Sequence, residues 1–186
     1  MIKRKSSLEG YINKGFFGTK EEKGVVLSEI KDLILYQVAA WPDTVDLVGK
    51  KISKSLKLEN YPCSNKSVNH NNISMLRVEP LKWWIIGSGV EKILPEEGTI
   101  LDISHSRTCI RIQGDNATNL LNRHLPIDLR EKSFPLDTLS TTAFHHCTVT
   151  LWRSKNGYEL FLPRAFSLSL WEIILESSLQ FGCEIK

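Results

Sequence analysis

His145-His146-Cys147 is the densest group of metal-ligating side chains in the sequence, and zinc coordination is the chemistry it would suggest. Its surroundings, Thr142 to Trp152, read as a strand. Neighbours on a strand point to opposite faces, so two adjacent histidines do not share a coordination sphere. No second ligand cluster lies at a recognisable spacing, and no metal is expected. A second polar group, Asp102-Ile103-Ser104-His105-Ser106-Arg107, holds the side-chain types of a nucleophile triad. Ser, His and Asp crowded so closely do not reach in-line geometry. The simpler reading is a polar turn, with Asp102 and Ser104 bonding local backbone and His105 and Arg107 beside them. Arg164 is a further polar candidate. Gly87-Ser88-Gly89 lacks the third glycine and the long helix of a dinucleotide fingerprint, and neither a Walker motif nor a GxSxG elbow occurs. Chemistry alone yields no active site.

The elements that must carry these residues follow from periodicity. Leu33 to Ala40 reads as a buried strand, and Trp41-Pro42-Asp43-Thr44 opens a helix with proline in its first turn. Val45, Val48, Ile52 and Leu56 then form one helical face. Residues 59–72 are a loop by composition. Ser74 to Val78 and Leu81 to Ile86 pair around Glu79-Pro80, and Val90 to Leu94 suits one helical turn. Thr99 to Ile103 and Thr108 to Ile112 are strands, and a helix runs from Gly114-Asp115 through Ala117, Leu120, Leu121 and His124. Thr142 to Trp152 and Tyr158 to Leu162 form a hairpin across Lys155-Asn156-Gly157, where Asn-Gly supplies positive φ. Ala165 to Phe181 is the longest helix, stopped by Gly182.

Both halves repeat an order of strand, helix and paired strands. The fold class is α+β, with two ferredoxin-like halves and mostly antiparallel sheets. The division expected is an N-terminal arm over 1–26, a first subdomain over 27–97 and a second over 98–186. In the last helix Phe166, Leu170, Ile173 and Ile174 make one apolar face, and Leu168, Trp171, Leu175 and Leu179 make another. A helix apolar nearly all round is buried on more than one side, so the second face is a candidate partner interface.

Composition sets outer bounds. With 186 residues, 41% hydrophobic and 24% charged, the chain can bury a core without metal or disulfide staples. Twenty-four basic and 21 acidic side chains give a net charge of +3, interleaved rather than striped, so nucleic acid is not an expected partner. The basic run Met1-Ile2-Lys3-Arg4-Lys5 reads as a solvated tail. No apolar stretch follows it and none reaches membrane-spanning length, so no secretory signal and no membrane contact are expected. Cys63, Cys109, Cys147 and Cys183 lie far apart without CxxC spacing, consistent with reduced thiols in a cytoplasmic protein.

From Thr99 onward an ordered series of short motifs resembles the gamma subunit of heterotetrameric sarcosine oxidase. Its pieces are Leu101-Asp-Ile-Ser-His-Ser-Arg107, Ile112-x-Gly114-x-x-Ala117-x-x-Leu120-Leu121 and Pro126-Ile-Asp-Leu129, followed by Phe134-Pro135, Val149-Thr-Leu-Trp-Arg153, Pro163-Arg-Ala-Phe166 and Leu170-Trp171. Val38-Ala39-Ala40 and Trp84-Ile85-Ile86 fit the family's weaker first half. The series is similar, more distantly, to the aminomethyltransferase (T-protein) superfamily, which implies a folate-binding, T-protein-like architecture. The positions corresponding to that superfamily's paired aspartates look like Cys147 and Thr148, and neither supplies a carboxylate. The resemblance implies a non-catalytic accessory subunit without a cofactor of its own, assembled with alpha, beta and delta subunits that carry FAD, FMN, NAD and zinc. The complex it implies oxidatively demethylates sarcosine to glycine, forming hydrogen peroxide and passing the one-carbon unit to tetrahydrofolate. The alternative is a stand-alone tetrahydrofolate-binding protein with Asp102, Arg107 and Arg164 nearest the pterin. A hydrolase working through Ser104 and His105 is a third.

Overall fold

The computed structural model describes residues 5–18 and 22–186. Met1 to Arg4, most of the basic run, lie outside the described residues. The strands are β1 (Gly15–Phe17), β2 (Val25–Ile30), β3 (Leu35–Ala40), β4 (Ser67–His70), β5 (Ile73–Glu79), β6 (Lys82–Ile86), β7 (Gly98–Asp102), β8 (Arg107–Gln113), β9 (Leu139–Phe144), β10 (Cys147–Ser154), β11 (Gly157–Pro163) and β12 (Cys183–Ile185). The α-helices are α1 (Val45–Ser55), α2 (Ala117–Leu121) and α3 (Ser167–Ser178). The fold is α+β with mostly antiparallel pairing, and the chain divides into two compact units.

The first unit comprises Met1–Lys31, Ser106–Leu136 and Thr141–Lys186. Its seven-stranded sheet runs β1-β12-β2-β8-β11-β10-β9, and β12 against β2 is its parallel pair. Strands β8 and β11 lie inside the sheet, and most of their residues are buried. Ile110, Ile112, Leu160 and Leu162 are all fully buried under α2 and α3, with Leu120, Trp171 and Ile174. Gly114 follows β8 with φ 101°, and a Cβ there would stand 2.5 Å from the carbonyl oxygen of Gly24. That approach lets Asn116 N–H donate to the same carbonyl at 2.9 Å, which starts α2.

The second unit comprises Asp32–His105 and Asp137–Ser140. Its five-stranded sheet runs β4-β5-β6-β3-β7, antiparallel throughout. Helix α1 covers one face. Val48, Ile52 and Leu56 meet Val38, Met75, Trp83 and Ile85 in a closed apolar cluster. The predicted spacing of 3, 4 and 4 from Val45 is therefore the packed stripe, as an amphipathic helix requires.

Several expectations are corrected. The expected boundaries at 26/27 and 97/98 are not those of the two units, because β2 and β12 join the first unit's sheet from opposite ends of the chain. Residues 1–26 are not a loose arm where described. Leu8 is buried, Ser6 bonds Glu29, and Ser7 bonds Thr108 at 2.7 Å. The loop over 59–72 contains β4, paired to β5 across Asn71-Asn72, with Asn71 at φ 53°. Val90 to Leu94 forms no helical turn. Thr142 to Trp152 is not one strand, since His145-His146 turns the chain between β9 and β10 with His145 at φ 51°. The rule of alternate faces therefore does not govern these two histidines.

Candidate functional site

The polar turn keeps its predicted chemistry. Ser104 N–H donates to Asp102 Oδ1 at 2.9 Å, an Asx turn. The Ser104 hydroxyl accepts from Leu35 N–H at 2.9 Å and donates to Leu35 C=O at 3.2 Å. A hydroxyl engaged twice by one backbone residue and buried at 6% exposure staples β3; it is not presented as a nucleophile. His105 is exposed. Asp102 and His105 belong to the second unit, and Arg107 and Arg164 to the first. In the first unit Arg164 N–H donates to Ser106 C=O at 3.0 Å and its guanidinium to Lys5 C=O at 2.8 Å. Partial burial of the Arg107 guanidinium lowers its pKa from the ordinary value.

The last helix reverses the expected faces in two places. Residues Arg164–Phe166 form a 3-10 turn rather than α-helix, so Phe166 falls out of phase with Leu170 and is 53% exposed. The buried stripe of α3 is Ser167, Leu170, Trp171, Ile174 and Ser178. Both serines turn inward because their hydroxyls donate locally, Ser167 to Arg164 C=O at 2.8 Å and Ser178 to Leu175 C=O at 2.6 Å. Trp171, expected at a partner interface, is 1% exposed within the unit's own core. Leu168 and Leu175 are half-buried against the same cluster, and Leu179 is half-buried in the 3-10 turn that follows.

The motifs that carry the resemblance hold one another together. Arg153 donates to Phe134 C=O at 2.7 Å and lies over the Tyr158 ring, 5.7 Å from its centroid. The Tyr158 hydroxyl meets Thr118 at 2.9 Å. Asp128 accepts both Nε and Nη2 of Arg130 and the Ser133 hydroxyl, and these bonds, Arg130 foremost, hold its carboxyl far below the usual carboxylate range. These residues brace the loop over 126–135. Arg153, Phe134 and Asp128, which the motifs supply, serve here as bracing contacts.

A corner that the sequence did not single out gathers His124, Phe144, His145 and Ser177. His124 Nε2 lies 2.9 Å from the Ser177 hydroxyl, its ring centroid 4.9 Å from Phe144 and 6.2 Å from His145. His124 and His145 border an open depression of about 400 Å³ with Arg123 and Pro126. Burial lowers the pKa of His124 from its ordinary 6.5, and the charges of His145 and Arg123 act in the same direction. A base with a depressed folded pKa takes up protons more readily when unfolded, so its contribution to stability is full above pH 6.5 and is lost as pH falls below it. Chemical denaturation across pH 7 to 5 should show this decline, flattened in His124→Gln, which can still bond Ser177. Equal slopes would refute the assignment. Among the described residues no three His, Cys, Asp or Glu side chains gather as a metal site.

All four cysteines are free thiols; Cys109 and Cys183 are buried, which raises both pKa values. Cys147 and Thr148 open β10. No described helix is long and apolar enough to cross a membrane.

No family model matches the chain. It is similar to the sarcosine oxidase subunit gamma of Corynebacterium sp. strain U-96, 33% identical over 70 residues that make up 38% of this chain and 34% of that relative. The matched stretch thus spans about a third of the relative's length. In fold it is similar to a chain of the heterotetrameric sarcosine oxidase from Corynebacterium sp. U-96 solved with pyrrole 2-carboxylate. That match has a TM-score of 0.71 at 17% identity, covering 87% of this chain and 86% of the other. The glycine cleavage system aminomethyltransferase T from Bartonella henselae matches with a TM-score of 0.61 at 15% identity, over 88% of this chain and 48% of that one. The fold of this chain is thus the one found in both of these structures.

Proposed function

We propose that this chain is the gamma-type accessory subunit of a heterotetrameric sarcosine oxidase and performs no chemical step itself. The observation that carries the reading is the fold match along 87% of the chain to 86% of a chain of such an oxidase, beside the separate sequence similarity to a gamma subunit. The scaffold role of the motifs supports it, as does the engagement of the Ser104 hydroxyl by Leu35. The assembly would demethylate sarcosine oxidatively to glycine with hydrogen peroxide and methylenetetrahydrofolate as further products. Its FAD, FMN, NAD and zinc would reside in the alpha, beta and delta subunits, and tetrahydrofolate would bind outside this chain. Half-buried Leu168, Leu175 and Leu179 remain available at the margin of α3 for a partner, without Trp171.

Titrating the isolated chain with tetrahydrofolate at high micromolar concentration separates this reading from a stand-alone folate binder. No saturable binding is expected. Saturable binding would overturn the accessory reading, because folate recognition would then belong to this chain.

A further inference from the structure

A groove of about 720 Å³ in the second unit runs between α1 and the edge strand β4, and its wall is basic. Lys50, Lys54 and Lys57 line it with His70, against one lining carboxylate, Glu59. Lys50 and Lys54 stand one turn apart on the same face of α1. Lys57 follows the C-cap residue Leu56 with φ 58°, which turns it out of the helix and onto the same groove.

Solvated lysines on a helix need no explanation when carboxylates intersperse them. Here the pattern differs. Adjacent Lys51 pairs with Glu97 at 2.7 Å, and Lys82 with Glu79 at 2.7 Å. Among the described residues no ion pair or hydrogen bond engages the ammonium groups of Lys50, Lys54 or Lys57. Asp46, one turn before Lys50, is instead taken by the Tyr61 hydroxyl at 2.6 Å. Like charges one turn apart oppose helix formation, so the cluster stands uncompensated within its own chain.

We propose that this groove docks an acidic peptide segment of a partner protein, with its carboxylates on Lys50, Lys54 and Lys57. Same-face side chains of an extended segment repeat every ~7 Å, close to the ~5–6 Å separation of helix positions one turn apart. Alternate acidic residues can therefore reach successive lysines. A nucleic acid fits less well. The Tyr61 ring at the groove packs against Gly49, where a Cβ would stand 2.8 Å from its Cγ, meets Trp83 edge-on at a centroid distance of 6.2 Å, and has the Arg77 guanidinium over it at 6.0 Å, so it is a poor platform for base stacking. The inference is independent of whether the chain belongs to an oxidase.

The test is fluorescence anisotropy of the full chain with a labelled hexaglutamate peptide, at low and at physiological salt. Saturable binding that weakens with salt is expected. The triple variant Lys50→Glu/Lys54→Glu/Lys57→Glu should lower affinity at least tenfold, and the milder Lys50→Gln/Lys54→Gln/Lys57→Gln at least threefold. A control with the same charge change at exposed sites of the first unit, Lys31→Glu/Lys132→Glu/Lys155→Glu, should retain most binding. Circular dichroism confirms folding, and the glutamine variant decides if the glutamate variant unfolds. Absence of binding at low salt, equal loss in groove and control variants, or tighter groove-dependent binding of a single-stranded oligonucleotide of equal charge would each overturn the proposal.

Discussion

Trp171→Ala should destabilise the protein by about 3–5 kcal/mol, the cost of emptying a fully buried tryptophan site. Trp171 is 1% exposed and sits between Leu170 and Ile174 on the stripe of α3 that closes over β11. Its loss opens a cavity in the first unit that neighbouring elements cannot refill without moving. Urea denaturation measures the effect. Phe166→Ser is the internal contrast, because that side chain is 53% exposed and should change stability by no more than about 0.5 kcal/mol. If Trp171 were instead an interface residue, its replacement would leave the free chain as stable as before. The pair of variants therefore tests whether Trp171, expected on a partner face, belongs to the core.

A loss of similar size is expected from Arg111→Met. Arg111 and Glu159 are register partners on β8 and β11, joined at 2.7 Å, with the glutamate side chain 7% exposed. Glu159 also accepts the Ser154 hydroxyl at 3.0 Å, so the carboxylate is held in place whether or not the arginine remains. Removing the cation strands a buried charge, at a cost of about 3–5 kcal/mol. The double variant Arg111→Met/Glu159→Leu should recover most of that loss. Arg111 Nε, a buried atom, has no hydrogen-bond partner among the described residues, so the native pair carries a desolvation cost that an apolar pair does not. A double variant no more stable than Arg111→Met alone would show that the glutamate is needed for more than charge balance.

Much of the second unit was legible because its signals are local. The apolar run before Trp41, the proline in the first helical turn and the spacing from Val45 to Leu56 specify β3 and α1 without reference to the rest of the chain. The hairpin across Asn156-Gly157 is equally local. What escaped depends on distant partners. β2 has buried Val25 and Leu27 but polar Ser28 and Glu29, and its place in the sheet comes from β8 and β12. β12 is three residues long, and no local pattern announces a parallel pair with a strand more than 150 positions away. The stripe of α3 was misread because apolarity alone selects leucines, whereas two of its buried positions are serines satisfied by backbone carbonyls. At the candidate sites, the Asx turn at Asp102 follows from residue type. The meeting of His124 with Ser177 does not, since a helix end and another helix 53 positions away supply it.

The central claim, that this chain serves as an accessory subunit, is tested most directly by assembly. Tagged chain co-expressed with the alpha, beta and delta subunits of its source organism's sarcosine oxidase should purify as a complex with one copy of each subunit by native mass spectrometry. Flavin absorbance should follow the tag. A colourless chain eluting alone, while the other three subunits assemble without it, would contradict the account.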